Sequence, residues 1–319
     1  MGLEIRLEYS SSRRVINGAM SPIVSLPFLF PVSLASLLTV ASAIAYGFLS
    51  WQVLRQVATQ SGARLAQATL GAGRKQDTTP TAGVAPALLG FALATHAGGL
   101  YFDMFGGGTV RFSFALAISV ILWLAVVLHG FESLAYRQRG LLGLILPTTT
   151  AGVLLPLIFP VDHPLVHIDS LLFRVHFILA MLAYGVFLLA TLQACLLWVA
   201  ERDLHHPQRL TAERRFPPLL RMENLLFRML AIAFLLLTAS LATGLLVSEQ
   251  FYGQWIRGDH KTIFAFLSWL IFGGLLLGRH LRGWRGRKAT GWTIAGFVSL
   301  LLAYVGSRFV LEVLLDRSL

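Results

Sequence analysis

The chain has 319 residues, of which 56% are hydrophobic and only 13% are charged, and its mean hydropathy is +0.70. A soluble globular domain carries about 25% charged residues, so this composition excludes that class. The net charge of +11 could suit a nucleic-acid-binding protein, but the basic residues gather in loops between apolar runs. We therefore expect a membrane protein that has the lipid bilayer, and no nucleic acid, as a partner.

Several runs of about 20 apolar residues are each long enough to cross a hydrocarbon core about 30 Å thick. They predict an all-α fold, a polytopic integral membrane helical bundle with about eight transmembrane helices. In chain order, the predicted spans cover roughly residues 28–50, 84–103, 112–131, 141–160, 170–199, 219–248, 262–280 and 291–315. The fourth span contains three prolines. We keep it because neighbouring helices can satisfy the backbone groups that prolines free.

The distribution of arginine and lysine indicates how these spans are oriented. Basic residues gather in alternate loops, whereas the intervening loops hold only Arg111, Arg257 and Lys261. Cytoplasmic loops carry an excess of Lys and Arg, so the basic loops are predicted to be cytoplasmic and both termini outside. The basic loops contain Arg55, Arg64, Arg74, Lys75, Arg137, Arg139, Arg202, Arg209, Arg214, Arg215, Arg221, Arg279, Arg282, Arg285, Arg287 and Lys288.

The spans predict one transmembrane domain, residues 28–315, between an N-terminal extension (1–27) and a short C-terminal tail (316–319). Arg13 and Arg14 lie on the outer side in this scheme, against the charge rule. We therefore expect either a true start at Met20 or a poorly ordered segment before it. Residues 55–83 include the polar stretch "GAGRKQDTTPTAG" and predict a flexible cytoplasmic linker.

Histidines are the most informative polar residues of the chain. The topology places His96, His163, His167, His176 and His260 towards the outer side, and neutral imidazole binds haem iron and transition metals well. Pro164 makes the segment around His163 and His167 irregular. This favours the interpretation that these two histidines lie at the membrane interface and are not ligands. His176 lies inside an apolar span, where a polar residue usually faces the bundle or a cavity and has a function.

The sequence lacks the motifs of several enzyme classes. Its one cysteine, Cys195, lies inside the fifth span and rules out a CxxC pair or an intrachain disulfide. The chain contains no phosphate-binding glycine loop, no GxSxG elbow and no HExxH zinc motif, and no paired carboxylates for acid–base catalysis. We therefore expect that the protein is not an enzyme.

Two parts of the sequence resemble a known family of membrane proteins. The stretch "VHFILAMLAYGVF", in which Tyr184 follows His176 by eight residues, resembles the H-V-x5-S-Y-A-x-F motif of the cytochrome c assembly (CcsA/CcmC-like) family. Towards the C-terminus, "GWRGRKA" and "AYVGSRFVLE" resemble its YpjD or HemX-like branch. The resemblance covers residues 84–315 and implies a helical bundle that handles haem at the outer face of a bacterial inner membrane.

The chain departs from the CcsA pattern in the loop that presents haem. That pattern has two outer histidines beneath a tryptophan-rich loop ending W-x-W-D. His176 matches the first histidine, but "SEQFYGQWIRGDHKT" offers only Trp255, and "FVLEVLLDRSL" has no second histidine. His280 is too close to Gly283 and Trp284 to match a further intramembrane histidine. The resemblance therefore implies a protein that keeps the scaffold and one ligand-like histidine but lacks the WWD loop.

The remaining residues suggest a haem b site with two histidine ligands to the iron, His176 and His260, provided that the fifth and seventh spans are adjacent. His260 opens a helix, whose dipole disfavours imidazolium at that end, and its neighbour Lys261 acts in the same direction. Both effects favour a neutral imidazole that can bind metal. The alternative for His176 is a hydrogen bond between helices, which contributes about 0.6–2 kcal/mol in membranes.

Other side chains complete this hypothesis. Arg174 and Lys261 are expected to contact the haem propionates. The aromatic cover of the macrocycle is expected from Trp255, Phe173 and Tyr101, and His96 is a further candidate cofactor-binding residue.

The favoured function is that of a haem-associated inner-membrane protein of the cytochrome c assembly type, which binds haem or hands it over at the outer face. Its expected partners are haem and cytochrome c maturation or other membrane proteins. The alternative is a non-catalytic membrane scaffold or regulatory protein that keeps the fold without haem transfer. A small-solute transporter is a third option, although the sequence shows no inverted repeat and no pair of broken helices.

Overall fold

The computed structural model describes residues 33–70, 84–135, 139–159, 164, 168–204, 219–256 and 258–310. This part of the chain is helical apart from turns, loops and an isolated β-bridge between Arg111 and Pro164. The helices are α1 (Leu34–Leu70), α2 (Val84–Phe105), α3 (Phe114–Ala135), α4 (Arg139–Gly152), α5 (Leu155–Ile158), α6 (Leu171–Leu204), α7 (Leu219–Tyr252), α8 (His260–Arg282) and α9 (Gly286–Leu301). A π-helical turn (Leu302–Gly306) and α10 (Ser307–Phe309) continue α9.

Seven helical segments in the described part of the chain are long and apolar enough to cross a membrane. They are Leu34–Thr59, Phe114–Ser133, Gly140–Ile158, Leu171–Arg202, Leu219–Tyr252, His260–Arg282 and Gly286–Phe309. Helix α2 has 22 residues, about 33 Å at 1.5 Å per residue, and corresponds to the remaining predicted span. The prediction of a polytopic helical membrane bundle is therefore confirmed. Residues 1–32 and 311–319 lie outside the described residues, so outward-facing termini remain a prediction.

Helix α1 is longer than the span predicted for it, because it continues to Leu70. Residues 55–70 are therefore helical, although the sequence predicted a flexible linker from residue 55. The stretch is rich in Ala, Leu, Gln and Arg, which all have high helix propensity, and this explains the difference. The rest of the predicted linker, residues 71–83, lies outside the described residues, as do the predicted N-terminal extension and C-terminal tail.

The fourth predicted span is helical in two pieces. Helix α4 contains Pro147 in its interior, and a proline there leaves the carbonyl of Gly143, four residues earlier, without its helical donor. Helix α5 then begins with Pro156 in its first turn, where the missing N–H has no cost. The two pieces form one apolar segment, Gly140–Ile158.

The helices pack in two connected groups. Helix α1 packs along α2 and α4, whereas α6, α7, α8 and α9 form a ring in which each helix packs against the next. Helix α3 joins the groups through contacts with α2, α4 and α6. In the ring, Phe187 of α6 and Phe272 of α8 are fully buried and stack with their ring centroids 3.9 Å apart. Helices α6 and α8 therefore meet across the ring, with α7 and α9 on either side.

The turn between α8 and α9, which begins the GWRGRK run, is held by Glu223 of α7. One carboxylate oxygen accepts a hydrogen bond from the backbone N–H of Gly286 at 3.0 Å. The other lies 3.9 Å from Arg279 and 4.0 Å from Arg285. Glu223 is buried, and removing one partner of a buried charge pair is strongly destabilising. Glu223 therefore holds this turn against α7.

Gly296 of α9 supports the same ring of helices. A Cβ at position 296 would lie 2.7 Å from the ring of Phe272, so we expect Gly296→Ala to displace that ring and destabilise the bundle by about 1–3 kcal/mol. The measurement is the fraction of detergent-purified protein that stays monodisperse after heating. Gly291→Ala is the matched control, because a Cβ at position 291 of the same helix meets nothing within 4 Å. Equal melting of the two variants would contradict this packing.

Candidate functional site

His176 lies in the first two turns of α6 and bonds to α7. Its imidazole Nδ1 is 2.9 Å from the backbone carbonyl oxygen of Ser240 and 3.3 Å from Oγ1 of Thr243. A carbonyl can only accept a hydrogen bond, so Nδ1 carries the hydrogen and Nε2 carries the lone pair. Metal-binding histidines usually donate their other ring N–H in this way. The interhelical bond and the metal-ligand role, which the sequence left as alternatives, are therefore compatible.

Helix α7 offers His176 a surface made of Ser240, Thr243 and Gly244, which we call the α7 contact surface. A Cβ at position 244 would lie 3.0 Å from Cε1 and 3.3 Å from Nδ1 of His176. Glycine at this position therefore allows the imidazole to lie directly against the helix backbone. The hydroxyl of Thr243 donates to the carbonyls of Ala239 (2.9 Å) and Ser240 (3.0 Å), which leaves its oxygen free to accept from Nδ1.

His260 is the first residue of α8 and its side chain is exposed. The N-cap before it, Asp259, accepts hydrogen bonds from the backbone N–H (3.0 Å) and the hydroxyl (2.6 Å) of Thr262. Among the described residues, no hydrogen bond or ring contact joins His260 to His176. Helices α6 and α8 lie across the four-helix ring from each other and are in contact where Phe187 and Phe272 stack. The His176–His260 pair stays a prediction.

Aromatic side chains form a row from α6 to the start of α8. The rings of Phe173 and Phe177 stack at 6.4 Å, Phe177 packs edge-on against Phe112 at 4.8 Å, and Phe112 lies 6.2 Å from Tyr304. At the far end, Nζ of Lys261 is 6.0 Å from the centre of the Tyr304 ring. This aromatic row (Phe173, Phe177, Phe112 and Tyr304) shows that the beginnings of α6 and α8 lie at one end of the bundle. We call it the outer end, following the charge distribution.

The other residues that were predicted to contact haem are placed less favourably for one site shared with His176. The exposed Arg174 donates from Nε to the carbonyl of Ile168 (2.7 Å) and from Nη2 to that of Asp169 (3.3 Å). These bonds fix the loop before α6 and use only part of the five-donor capacity of arginine. Trp255 is exposed in the loop before α8. Tyr101 packs on Phe102 and Phe105 of its own helix, not on the aromatic row.

His96 belongs to a different part of the bundle. It is 2% exposed, its Nε2 is 2.9 Å from the hydroxyl of Ser119 on α3, and its ring meets the Tyr46 ring edge-on at 5.7 Å. These contacts fasten α2 to α1 and α3, whereas the buried Nδ1 of His96 has no hydrogen-bond partner among the described residues. A cofactor-binding role for His96 stays a prediction. His163 and His167 lie outside the described residues. In the described part of the chain, no group of three or more His, Cys, Asp or Glu side chains is placed to hold a metal ion.

Sequence reasoning missed the α7 contact surface and most of the aromatic row. The spacing of Ser240, Thr243 and Gly244 in "TASLATG" places small and hydroxyl-bearing residues on one helix face, which is the pattern of a close helix contact. It also missed Arg111, whose half-buried side chain lies next to Phe112 and has no hydrogen bond at Nε among the described residues. Arg111 adds a cation to the outer end.

The fold and this site define a class: a helical membrane bundle in which an imidazole bonded to a neighbouring helix lies at the same end as aromatic and cationic side chains. The family described as cytochrome C assembly protein matches residues 28–315, and the chain belongs to that family. This confirms the resemblance predicted from the sequence motifs.

Three relatives illustrate the match. The inner membrane protein YpjD of Escherichia coli is 30% identical over 184 residues, which are 56% of this chain and 68% of YpjD. An uncharacterized 28.8 kDa protein of Azospirillum brasilense is 28% identical over 206 residues, 62% of this chain and 76% of its own. The cytochrome c biogenesis protein CcsA of Prochlorococcus marinus is 35% identical over 89 residues, 28% of each chain. No solved structure matches the chain.

The contact between Gly244 and His176 can be tested without any cofactor. We expect Gly244→Ala to destabilise the protein by about 1–3 kcal/mol, because the new methyl group pushes the imidazole off the Ser240 carbonyl. In the His176→Ala background the same change should be neutral or stabilising, since the clash is gone and alanine favours the helix. Thermal melting of the four proteins gives the coupling energy. A Gly244→Ala effect of the same size in both backgrounds would contradict this contact.

Proposed function

We propose that this protein binds haem at the outer end of its bundle, with Nε2 of His176 as an iron ligand, and holds it for transfer to another membrane protein. The family to which the chain belongs is named for cytochrome c assembly, and membership implies an association with haem. Haem b, the outer end of the bundle and the bacterial inner membrane are the finer parts of this proposal. The observation that carries it is the 2.9 Å hydrogen bond from Nδ1 of His176 to the Ser240 carbonyl.

The hydrogen bond does two things for a ligand. It fixes the tautomer, so the lone pair stays on Nε2, and together with the close contact to Gly244 it restricts the orientation of the ring. An acceptor on Nδ1 also raises the basicity of the ligating nitrogen. Haem, when bound, supplies an iron that accepts a nitrogen ligand and two propionates that attract cations. Each of these needs has a matching group at the outer end.

Aromatic and cationic side chains provide the rest of the proposed site. The aromatic row begins at Phe173 and Phe177, within one turn of His176, and offers an apolar wall to a macrocycle. Lys261, Arg174 and Arg111 are the cations proposed for the propionates, and His260 is the proposed second ligand. Trp255, in the loop before α8, is the proposed cover.

We further propose that the protein performs no covalent chemistry of its own on haem. The groups assigned to the site are ligands, cations and aromatic rings, which bind and orient a cofactor. A carrier of this kind needs release as well as binding. One half-buried ligand together with an exposed histidine at a helix end suits a cofactor that leaves towards a partner.

The test is a reduced-minus-oxidised absorbance spectrum of the detergent-purified protein with and without added hemin. We expect a Soret and an α band in the parent, loss of most of that signal in His176→Ala, and a shifted spectrum in His260→Ala. His280→Ala is the matched control, because His280 is an exposed histidine at the opposite end of α8. It should leave the spectrum unchanged.

A parent protein that takes up no haem even from added hemin would overturn the proposal. The scaffold or regulatory function would then be favoured, since it keeps the fold without haem. Equal loss of signal in His176→Ala and His280→Ala would instead indicate non-specific binding of hemin.

A further inference from the structure

A groove between α1 and α4 has no role in the proposed haem site. Its volume is about 680 Å³, and it lies on the membrane-spanning part of both helices. Its α1 wall is a single stripe with helical spacing, and most of its lining is apolar. The lining includes Gly47, Ser50, Trp51, Leu54, Arg55 and Pro147.

Small residues and a proline form this groove. At Gly47 a Cβ would lie 3.5 Å from the methyl group of Thr150, so the missing side chain leaves space between α1 and α4 at this point. Beyond this point, the α4 wall offers Pro147 and Ala151, which have short side chains, so the space between the helices stays unfilled. Trp51 closes one side and is 53% exposed.

The length of the groove corresponds to one leaflet of a bilayer. Along α1 it extends from Gly47 to Ala58, which is about 16 Å at 1.5 Å per residue. Half of a hydrocarbon core about 30 Å thick is about 15 Å. One end of the groove is therefore near the membrane midplane and the other is at the end of the span. The positive-inside rule assigns that second end to the cytoplasmic leaflet.

Arg55 lies at the cytoplasmic end of the groove, inside the span Leu34–Thr59. Its guanidinium carbon is 5.2 Å from the centre of the Trp51 ring. Among the described residues, no carboxylate forms a salt bridge with it. A charged residue within a membrane span usually has a partner, and at the depth of the headgroups a lipid phosphate is the available anion.

We propose that this groove binds one anionic phospholipid of the cytoplasmic leaflet. The phosphate lies on the Arg55 guanidinium beside Trp51, and one acyl chain lies between α1 and α4 as far as Gly47. Charge complementarity selects the headgroup and the length of the groove selects a long acyl chain. This site is separate from His176 and does not depend on haem.

The test is native mass spectrometry of the full-length protein, stripped of lipid in detergent and titrated with phosphatidylglycerol or phosphatidylcholine. We expect one tightly retained phosphatidylglycerol per chain and weaker retention of phosphatidylcholine. Arg55→Gln should weaken phosphatidylglycerol binding roughly fivefold, which corresponds to about 1 kcal/mol for one cation near a lipid surface. Ala151→Leu should weaken the binding of both lipids, because Ala151 is exposed on the groove wall and a longer side chain fills the space.

Arg202→Gln is the matched control for the headgroup. Arg202 lies 5.7 Å from the centre of the Trp198 ring at the same end of the bundle, but it does not line the groove. It should leave phosphatidylglycerol binding unchanged. Equal weakening by Arg55→Gln and Arg202→Gln would overturn the proposal, and so would retention of phosphatidylcholine as tight as that of phosphatidylglycerol. Neither result would bear on haem binding, which is measured separately by absorbance.

Discussion

The hydrogen bond from Nδ1 of His176 to the carbonyl of Ser240 is the interaction on which the proposed site depends. In the hydrocarbon region every polar group needs a partner within the protein, and a helix carbonyl with spare lone-pair capacity is one such partner. Gly244 allows the imidazole to reach it, and Thr243 supplies a second acceptor. The same bond that satisfies Nδ1 leaves Nε2 with its lone pair. The same hydrogen bond therefore joins α6 to α7 and keeps Nε2 of His176 available as a ligand.

The packing of the helices determines which other groups can lie near this imidazole. Helices α6 to α9 form a ring in which Phe187 and Phe272 fill the centre, so a planar cofactor would lie above that core, at the outer end. The aromatic row and Lys261 lie at this end. At the other end, Glu223 holds the turn between α8 and α9. The α1–α4 groove is lined by residues of α1 and of the segment Gly140–Ile158, which are outside the ring. The proposed haem site and the proposed lipid site therefore involve different helices.

Hydropathy and charge predicted most of the fold, because the thickness of a bilayer sets the length of each span. They did not predict that α1 continues to Leu70, since a helix that leaves the membrane no longer has an apolar signature. The hypothesis of two histidine ligands was limited in a similar way, because the sequence does not show which helix faces His176. His176 was singled out correctly as a polar residue in an apolar span, but its partners Ser240 and Thr243 are 64 and 67 residues away. His96 was selected by the same reasoning, and the sequence did not predict its contacts with Ser119 and Tyr46. The position of a residue along its span can be predicted from the sequence, whereas the helix that the residue faces cannot.

The most direct test of the central claim is hemin binding by a His176→Gly variant supplied with free imidazole or with 1-methylimidazole. Imidazole can donate an N–H to the Ser240 carbonyl while its other nitrogen binds iron, but 1-methylimidazole has no N–H to donate. We predict that imidazole restores the absorbance spectrum of the parent protein and that 1-methylimidazole restores it far less. Equal rescue by both would contradict the role of the hydrogen bond. Failure of both, with the variant folded and the parent binding hemin, would contradict His176 as the ligand.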